Sequence, residues 1–311
     1  MAGLHFGLQS IAKLSDILQT RICLLLFRFG LTLNALLNGR ISFRTFHCCL
    51  CLIALLASLN AWSDTRDDIL SVTVFEDHER YVEASQSYGL SWQLFEIAAA
   101  HAQFELRVVP TSWQASMSRI RNEKVDIVFA ALKTSEREKW ATFSLPLMTE
   151  SSAIFAHPEH AIDKFEDIDL EKSTIGVSAE SLQEELAVEL GFKNIYATER
   201  RPQLYEMLKG KRLDFLFFGV SIINYYCLSY NTQNTPQCMK QVSPDYHPDG
   251  VHAISLTRNK KASKKLAQIN QAILELRHSR EYKAVFSQYP NGNSLYENWL
   301  NRLDALIAKR N

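Results

Sequence analysis

Residues 113–146, WQASMSRIRNEKVDIVFAALKTSEREKWATFSLP, decide the fold of this chain. The stretch opens with apolar side chains at helical spacing, and residues 125–131 then form an apolar run of strand length. Hydroxyl and charged residues end that run, and Thr134 or Ser135 is placed to cap a following helical turn. This order predicts that Arg137 lies at the carboxyl end of a strand, where open α/β sheets bind their ligands.

Strands and helices alternate on both sides of this stretch. Before it we predict a strand at 70–76, a helix at 89–102 and a strand at 104–109. After it we predict strands at 151–156, 173–178, 195–198 and 213–220, and helices at 183–190, 202–208, 264–277, 279–288 and 294–309. The turn-rich residues 244–250 are predicted to carry the chain back across the molecule. Such alternation with short connections is typical of a parallel α/β sheet.

The same stretch contains a motif with fixed spacing. Its residues are Trp113, Asp126 thirteen positions later, Thr134, Arg137, Phe143 and Ser144. With this motif the chain resembles the type 2 periplasmic solute-binding proteins of the amino-acid-binding kind, from about residue 70 to residue 289. The resemblance implies two α/β lobes, each a mostly parallel sheet flanked by helices, joined by two crossing strands. Lobe 1 would comprise residues 64–156 and 251–311, with an extra C-terminal helix, and lobe 2 residues 157–250.

Arg137 is the first candidate ligand-binding residue. The resemblance implies that it binds a carboxylate of the solute, often together with Thr134. The planar guanidinium suits two-pronged recognition of a carboxylate better than a lysine would. The alternative is a surface arginine paired with Glu136 or Asp126, with Thr134 acting only as a helix cap.

Further candidates come from both lobes. Ser181 matches the hydroxyl residue at a helix N-terminus that meets the ligand's carboxylate, and Glu180 before it replaces the usual glycine. Trp113 is expected either to line the cleft or to anchor its helix in the core. Phe75 and Glu76 end the first strand, where an aromatic residue would stack on the ligand and a carboxylate would receive a cationic group. A solvated strand end is the alternative for Glu76.

The chain departs from the family pattern at Gly219. The family's strand ends in an aspartate that holds the ligand's α-ammonium group, and Gly219 takes that position, whereas Asp214 matches an earlier aspartate. Leu132 also replaces a frequent threonine, and Ala115 stands where some relatives have arginine. An amino-acid ligand would therefore lose its expected ammonium partner, although the fold prediction is unaffected.

The N-terminal region predicts export. Residues 46–62 form an apolar stretch behind basic residues, and a small-x-small pattern ends at Ser63. This pattern predicts a signal peptide cleaved before Asp64 and a periplasmic protein. The run is shorter than the ~20 residues of a spanning helix, and an uncleaved anchor is the alternative. Residues 1–39 reflect either an upstream start codon chosen in error or a genuine extension.

Charge and cysteine content fit an exported protein. Of the 34 basic and 34 acidic residues, five basic and one acidic precede residue 64. The remaining 29 basic and 33 acidic residues give a net charge near −4, which argues against nucleic acid as a partner. Only Cys227 and Cys238 follow the predicted cleavage site. An even number of cysteines at short spacing in an exported chain favours a disulfide over two independent buried thiols.

These observations predict a monomeric binding protein that closes two lobes over a small carboxylate-bearing solute. Its partners would be that solute and an inner-membrane ABC permease or a sensor, and we expect no cofactor and no metal, because no P-loop or zinc motif is present. One alternative is a dehydratase-like enzyme on the same fold, with Glu76 or Glu180 as acid or base. Another is a partner-binding module that uses the helix at 294–309.

Overall fold

The computed structural model describes residues 68–230 and 238–309. Its strands are β1 (Ile69–Val74), β2 (Glu105–Pro110), β3 (Ile127–Ala131), β4 (Ala141–Phe143), β5 (Met148–Ala156), β6 (Thr174–Ser178), β7 (Asn194–Thr198), β8 (Phe215–Gly219), β9 (Lys240–Gln241) and β10 (Tyr246–Leu256). Its α-helices are α1 (His78–Ala84), α2 (Gln86–His101), α3 (Trp113–Arg121), α4 (Ser135–Glu138), α5 (Leu182–Leu190), α6 (Arg201–Lys209), α7 (Val220–Tyr230), α8 (Lys260–Leu276), α9 (Arg280–Ser287) and α10 (Gly292–Ala308). The predicted leader lies outside the described residues.

The strand order is β2-β1-β3-β10-β5-β8-β6-β7. In the first half β1 pairs in parallel with β2 and β3, and in the second half β6 pairs in parallel with β7 and β8. The antiparallel strands β5 and β10 pair with each other and connect the two halves. The predicted fold, two mostly parallel α/β lobes joined by two crossing strands, is confirmed.

One segment folds differently from the prediction. Residues 244–250 were expected to form turns, but β10 already begins at Tyr246 and pairs with β5. A register shift between Tyr246 and Asp249 absorbs the turn-forming residues without ending the strand. Gly250 is required there, because a Cβ at this position would lie 2.4 Å from the Cβ of Pro146.

Helix starts follow local capping rules. The side chains that accept a backbone N–H from the first turn are Ser85 for α2, Ser112 for α3, Thr134 for α4, Ser181 for α5, Asn259 for α8 and Ser279 for α9. Each such cap stabilises its helix by about 1 kcal/mol. The caps of α3, α4 and α5 matter most for function, because these helices begin where the strands of the two halves end.

The buried side chains form two clusters. The first and larger core contains Leu70, Val72, Phe95, Ile127 and Phe129 of the first half and continues into the second half through Leu204 and Phe218. The second core lies within the second half and contains Ile175, Val177, Leu186, Phe215 and Phe217. Full burial of one such side chain contributes about 1.5–3 kcal/mol. Helix α10 extends the first core with Trp299 and Leu303, and the Trp299 indole donates to the carbonyl of Pro146 at 3.0 Å.

Helix α8 begins with the basic run 260–265, four residues before the predicted start at 264. One lysine of this run, Lys265, is buried and only 7 % exposed. Its ammonium group donates to the carbonyl of Ile69 at 2.9 Å and lies 5.4 Å from the Phe104 ring centre.

Within residues 68–230 and 238–309, none of the helices combines the length and apolarity that crossing a bilayer requires.

Candidate functional site

A cavity of about 60 Å³ lies between the two halves, at the carboxyl ends of their parallel strands. Five of the predicted site residues line it: Phe75, Trp113, Arg137, Ser181 and Gly219. Three others, Thr134, Glu76 and Glu180, are not among its lining residues. The cavity also has lining residues that sequence reasoning missed, above all Glu150 and Arg201.

Arg137 is buried, at 3 % exposure, and contacts both halves. Its Nη1 donates to the carbonyl of Leu132 at 2.7 Å, and its Nη2 donates to the carbonyl of Glu180 at 2.9 Å. Burial lowers the pKa of Arg137 to about 10, so the guanidinium remains charged at neutral pH. Thr134 positions it by accepting the Arg137 backbone N–H at 3.2 Å.

The surface-pair alternative for Arg137 does not describe this arrangement. Glu136 instead bonds Lys139 at 2.7 Å, and Asp126 accepts the backbone N–H and hydroxyl of Ser71 at 2.9 and 2.6 Å. In the part of the chain that the structure describes, Arg137 therefore has no carboxylate within ion-pair distance. A buried guanidinium without a carboxylate partner is suited to hold an anion that enters the cavity.

Trp113 fills both roles that the sequence left open. Its ring is 6 % exposed and packs edge-on against Phe75, which anchors α3 in the core. The same ring lines the cavity, and its Nε1 donates to the carbonyl of Glu180 at 2.9 Å. The Arg137 guanidinium lies 5.2 Å from the centre of this ring, a distance at which cation and ring attract each other.

Glu180 acts through its backbone. Its φ of 58° lies in the left-handed region, which explains why a glycine is usual at this position. Its carboxylate pairs with Arg121 at 2.9 Å, so it does not face the cavity as a repelling charge. The next residue, Ser181, is 4 % exposed and caps α5 by accepting the Glu184 N–H at 3.2 Å. Helix α5 therefore presents its N-terminus to the cavity.

Arg201 brings a second guanidinium to the cavity wall. It lies 3.9 Å from the centre of the Phe75 ring, and its Nε donates to the Ser178 hydroxyl at 3.0 Å. A sequence signal was available, because Arg201 begins α6, and a cation at a helix N-terminus opposes the helix dipole.

Glu76 is exposed and lines a separate cavity of about 30 Å³, which fits the solvated strand end.

Glu150 lies on β5 beside Gly219, the position that departs from the family pattern. The carboxylate is 7 % exposed and accepts the Ser221 N–H at 2.9 Å. Burial raises the pKa of Glu150 to about 6. The predicted strand began at 151 and so left this residue out, yet the alternation of Met148, Glu150 and Ser152 would have placed all three on the inward face.

Cys227 and Cys238 lie at disulfide distance, with Cα atoms 5.4 Å apart. The disulfide remains a prediction, and residues 231–237 between the two cysteines lie outside the described residues. Among the residues described, no group of three or more His, Cys, Asp and Glu side chains could hold a metal ion.

A cavity between two α/β lobes, with a buried guanidinium group and a helix N-terminus on its wall, is the architecture of a type 2 solute-binding protein. The chain belongs to the bacterial extracellular solute-binding proteins, family 3, whose model matches residues 75–292. Helix α10 therefore lies almost entirely beyond the family match.

Individual relatives are distant. The arginine-binding extracellular protein ArtP of Bacillus subtilis (strain 168) is 23% identical over 238 residues, which cover 76% of this chain and 91% of that protein. A crystal structure of an arginine third transport system periplasmic binding protein from Legionella pneumophila matches with a TM-score of 0.60 and 19% identity, over 71% of this chain and 99% of that one. The GluR0 ligand-binding core from Nostoc punctiforme, in complex with L-glutamate, matches with a TM-score of 0.57 and 20% identity, over 71% and 98%.

Proposed function

We propose that this protein captures a small carboxylate-bearing solute by closing its two lobes, residues 64–156 with 251–311 and residues 157–250, around the cavity. The observation that carries this proposal is the position of Arg137, which is buried, charged and bonded to both lobes at the cavity wall. The protein would act in the periplasm after removal of its leader, as a monomer that presents the closed form to an ABC permease or a sensor.

The contacts around Glu180 join the two lobes at the cavity wall. Trp113 and Arg137 from lobe 1 both donate to the Glu180 carbonyl in lobe 2. A solute that contacts both lobes binds the closed form more tightly than the open form, and this difference in affinity shifts the population toward closure.

The carboxylate of the solute would be bound by groups that still have hydrogen-bond donors not used within the protein. Each terminal nitrogen of Arg137 carries a second N–H besides the one bonded to Leu132 or Glu180. Ser181 accepts one hydrogen bond as a cap and can still donate its hydroxyl proton. Phe75 and Trp113 supply the aromatic wall. The relatives named above bind arginine or glutamate, which supports an amino-acid-like solute.

The test is a thermal-shift screen of the secreted form produced from the full chain, against amino acids, dicarboxylates, keto acids and polyamines. Solute at a hundred times its dissociation constant adds about 2.7 kcal/mol to the free energy of unfolding. We expect a carboxylate to raise the melting temperature in the native protein and in Arg119→Ala, a control at an exposed arginine of α3. The shift should vanish in Arg137→Ala. A shift that survives Arg137→Ala refutes the site assignment, and the absence of any shift refutes the function.

The two alternatives receive less support from the structure. Neither Glu76 nor Glu180 reaches the cavity, so neither is placed to transfer a proton to a bound solute. The C-terminal helix α10 buries Tyr296, Trp299 and Leu303 against lobe 1. A truncation at Asn293 is therefore expected to destabilise the protein, and not merely to remove a partner-binding surface.

A further inference from the structure

The cavity holds one acidic side chain that the proposed carboxylate contact does not use. Glu150 reaches it from the crossing strand β5, whose Ser152 pairs with Gly219 of β8. Its Oε1 accepts the backbone N–H of Ser221, the second residue of α7. Because Gly219 has no side chain, the carboxylate occupies the space at the end of β8.

The carboxylate of Glu150 is buried without a cation. Among the described residues, no lysine, arginine or histidine nitrogen lies within ion-pair distance of it. Burial and the neighbouring acid Asp245 raise the pKa of Glu150, whereas hydrogen bonds from Ser221 and Ser87 lower it without supplying a positive charge. Buried carboxylates are normally paired, because an uncompensated charge in a low-dielectric interior is costly. A cation that enters the cavity would supply such a partner.

The cavity wall carries charged groups of both signs that do not pair with each other. Arg137 and Arg201 line it together with Glu150, yet neither guanidinium forms an ion pair with that carboxylate. Opposite charges that share a small cavity without neutralising each other leave two separate sites, one for an anion and one for a cation. A solute with both charges at a short separation would satisfy them simultaneously.

We propose that Glu150 is the cation-binding residue of this cavity, and that the solute carries an ammonium group beside its carboxylate. This inference rests on the proposed function and deepens it. The absence of a side chain at Gly219 fits this arrangement, since a Cβ there would lie 2.8 Å from the Glu150 Oε1 and the carboxylate would have to move. The carboxylate that the family pattern places at the end of β8 is here supplied by the neighbouring strand, and the two positions cannot both carry an acidic side chain without a shift.

Isothermal titration of the secreted form with matched solutes tests this proposal. The probes are L-glutamate, L-arginine and L-leucine, each paired with the 2-hydroxy acid in which a hydroxyl replaces the ammonium group. We expect the native protein to bind at least one amino acid, and to bind its 2-hydroxy acid about 30-fold more weakly or worse. Glu150→Gln should lose this preference, while Glu96→Gln, an exposed acid on α2, should keep it.

A relocation variant shows whether the charge itself matters. In Glu150→Ala/Gly219→Asp the side chain that would clash with residue 219 is removed, and a carboxylate returns at the end of β8. Recovery of the preference for the amino acid in this double variant supports the proposal. Circular dichroism checks that each variant is folded before it is titrated.

The possible results distinguish the cation-binding role of Glu150 from the proposed capture of a carboxylate-bearing solute. If the native protein binds a 2-hydroxy acid as tightly as its amino acid, or if Glu150→Gln binds the amino acid like the native protein, Glu150 is not the cation site. Arg137-dependent binding would in that case still support the proposed function. Failure of the native protein to bind any of the probes or any carboxylate overturns both.

Discussion

Replacing Glu150 by glutamine is expected to stabilise the ligand-free protein at neutral pH. Burial raises the pKa of this carboxyl group from its ordinary value of 4.5 to about 6. The folded protein therefore holds the proton more tightly than the unfolded chain does, and ionisation favours unfolding. The free energy of unfolding falls as the pH rises from about 4.5 to about 6 and stays lower above that range.

The size of the effect follows from the same values. A difference of about 1.5 pKa units corresponds to about 2 kcal/mol. Glutamine avoids this cost because it stays neutral, and its amide oxygen can still accept the Ser221 N–H that Glu150 accepts at 2.9 Å. For a chain of this length, about 2 kcal/mol raises the melting temperature by about 4–8 °C.

Urea unfolding of the native protein and of Glu150→Gln, at pH 7.5 and at pH 4, measures the effect. Fluorescence and circular dichroism should be followed together, because two lobes need not unfold in one step. The variant should be more stable at pH 7.5 and equal to the native protein at pH 4. A variant that is less stable at pH 7.5, or a difference that does not depend on pH, would refute the reasoning about this buried charge.

Glu150, Trp299 and Glu180 each give one further prediction. The affinity for an ammonium-bearing solute should fall about tenfold per pH unit below pH 6, because Glu150 must be ionised to hold a cation; titrations between pH 4.5 and 7.5 would show it. Trp299→Ala should cost about 3–5 kcal/mol of stability, since this buried side chain joins α10 to lobe 1; an unchanged urea midpoint would contradict that. Glu180→Gly should be at least as stable as the native protein, whereas Glu180→Val should lose about 1–2 kcal/mol, as the left-handed backbone requires; equal unfolding midpoints for the two variants would refute the strain.

Much of the fold could be predicted because its signals are local. The caps at Thr134 and Ser181, the alternating strands and helices, and the spacing from Trp113 to Arg137 all involve residues close together in the chain. These patterns identified the family and the position of Arg137 at a strand end. The strand at 246–256 was missed because its pairing with β5, and not its own turn-rich sequence, keeps it extended.

The composition of the cavity required the tertiary structure. Glu150 becomes a site residue only because β5 pairs with β8, which places its carboxylate beside Gly219. The role of Glu180 depends on its carbonyl meeting Trp113 and Arg137 from the other lobe. The sequence by itself determined the local elements and the position of Arg137 at a strand end, since helix caps and periodicity act over a few residues. Only the tertiary structure decided which charges share the cavity, because that depends on strand pairing between segments far apart in the chain.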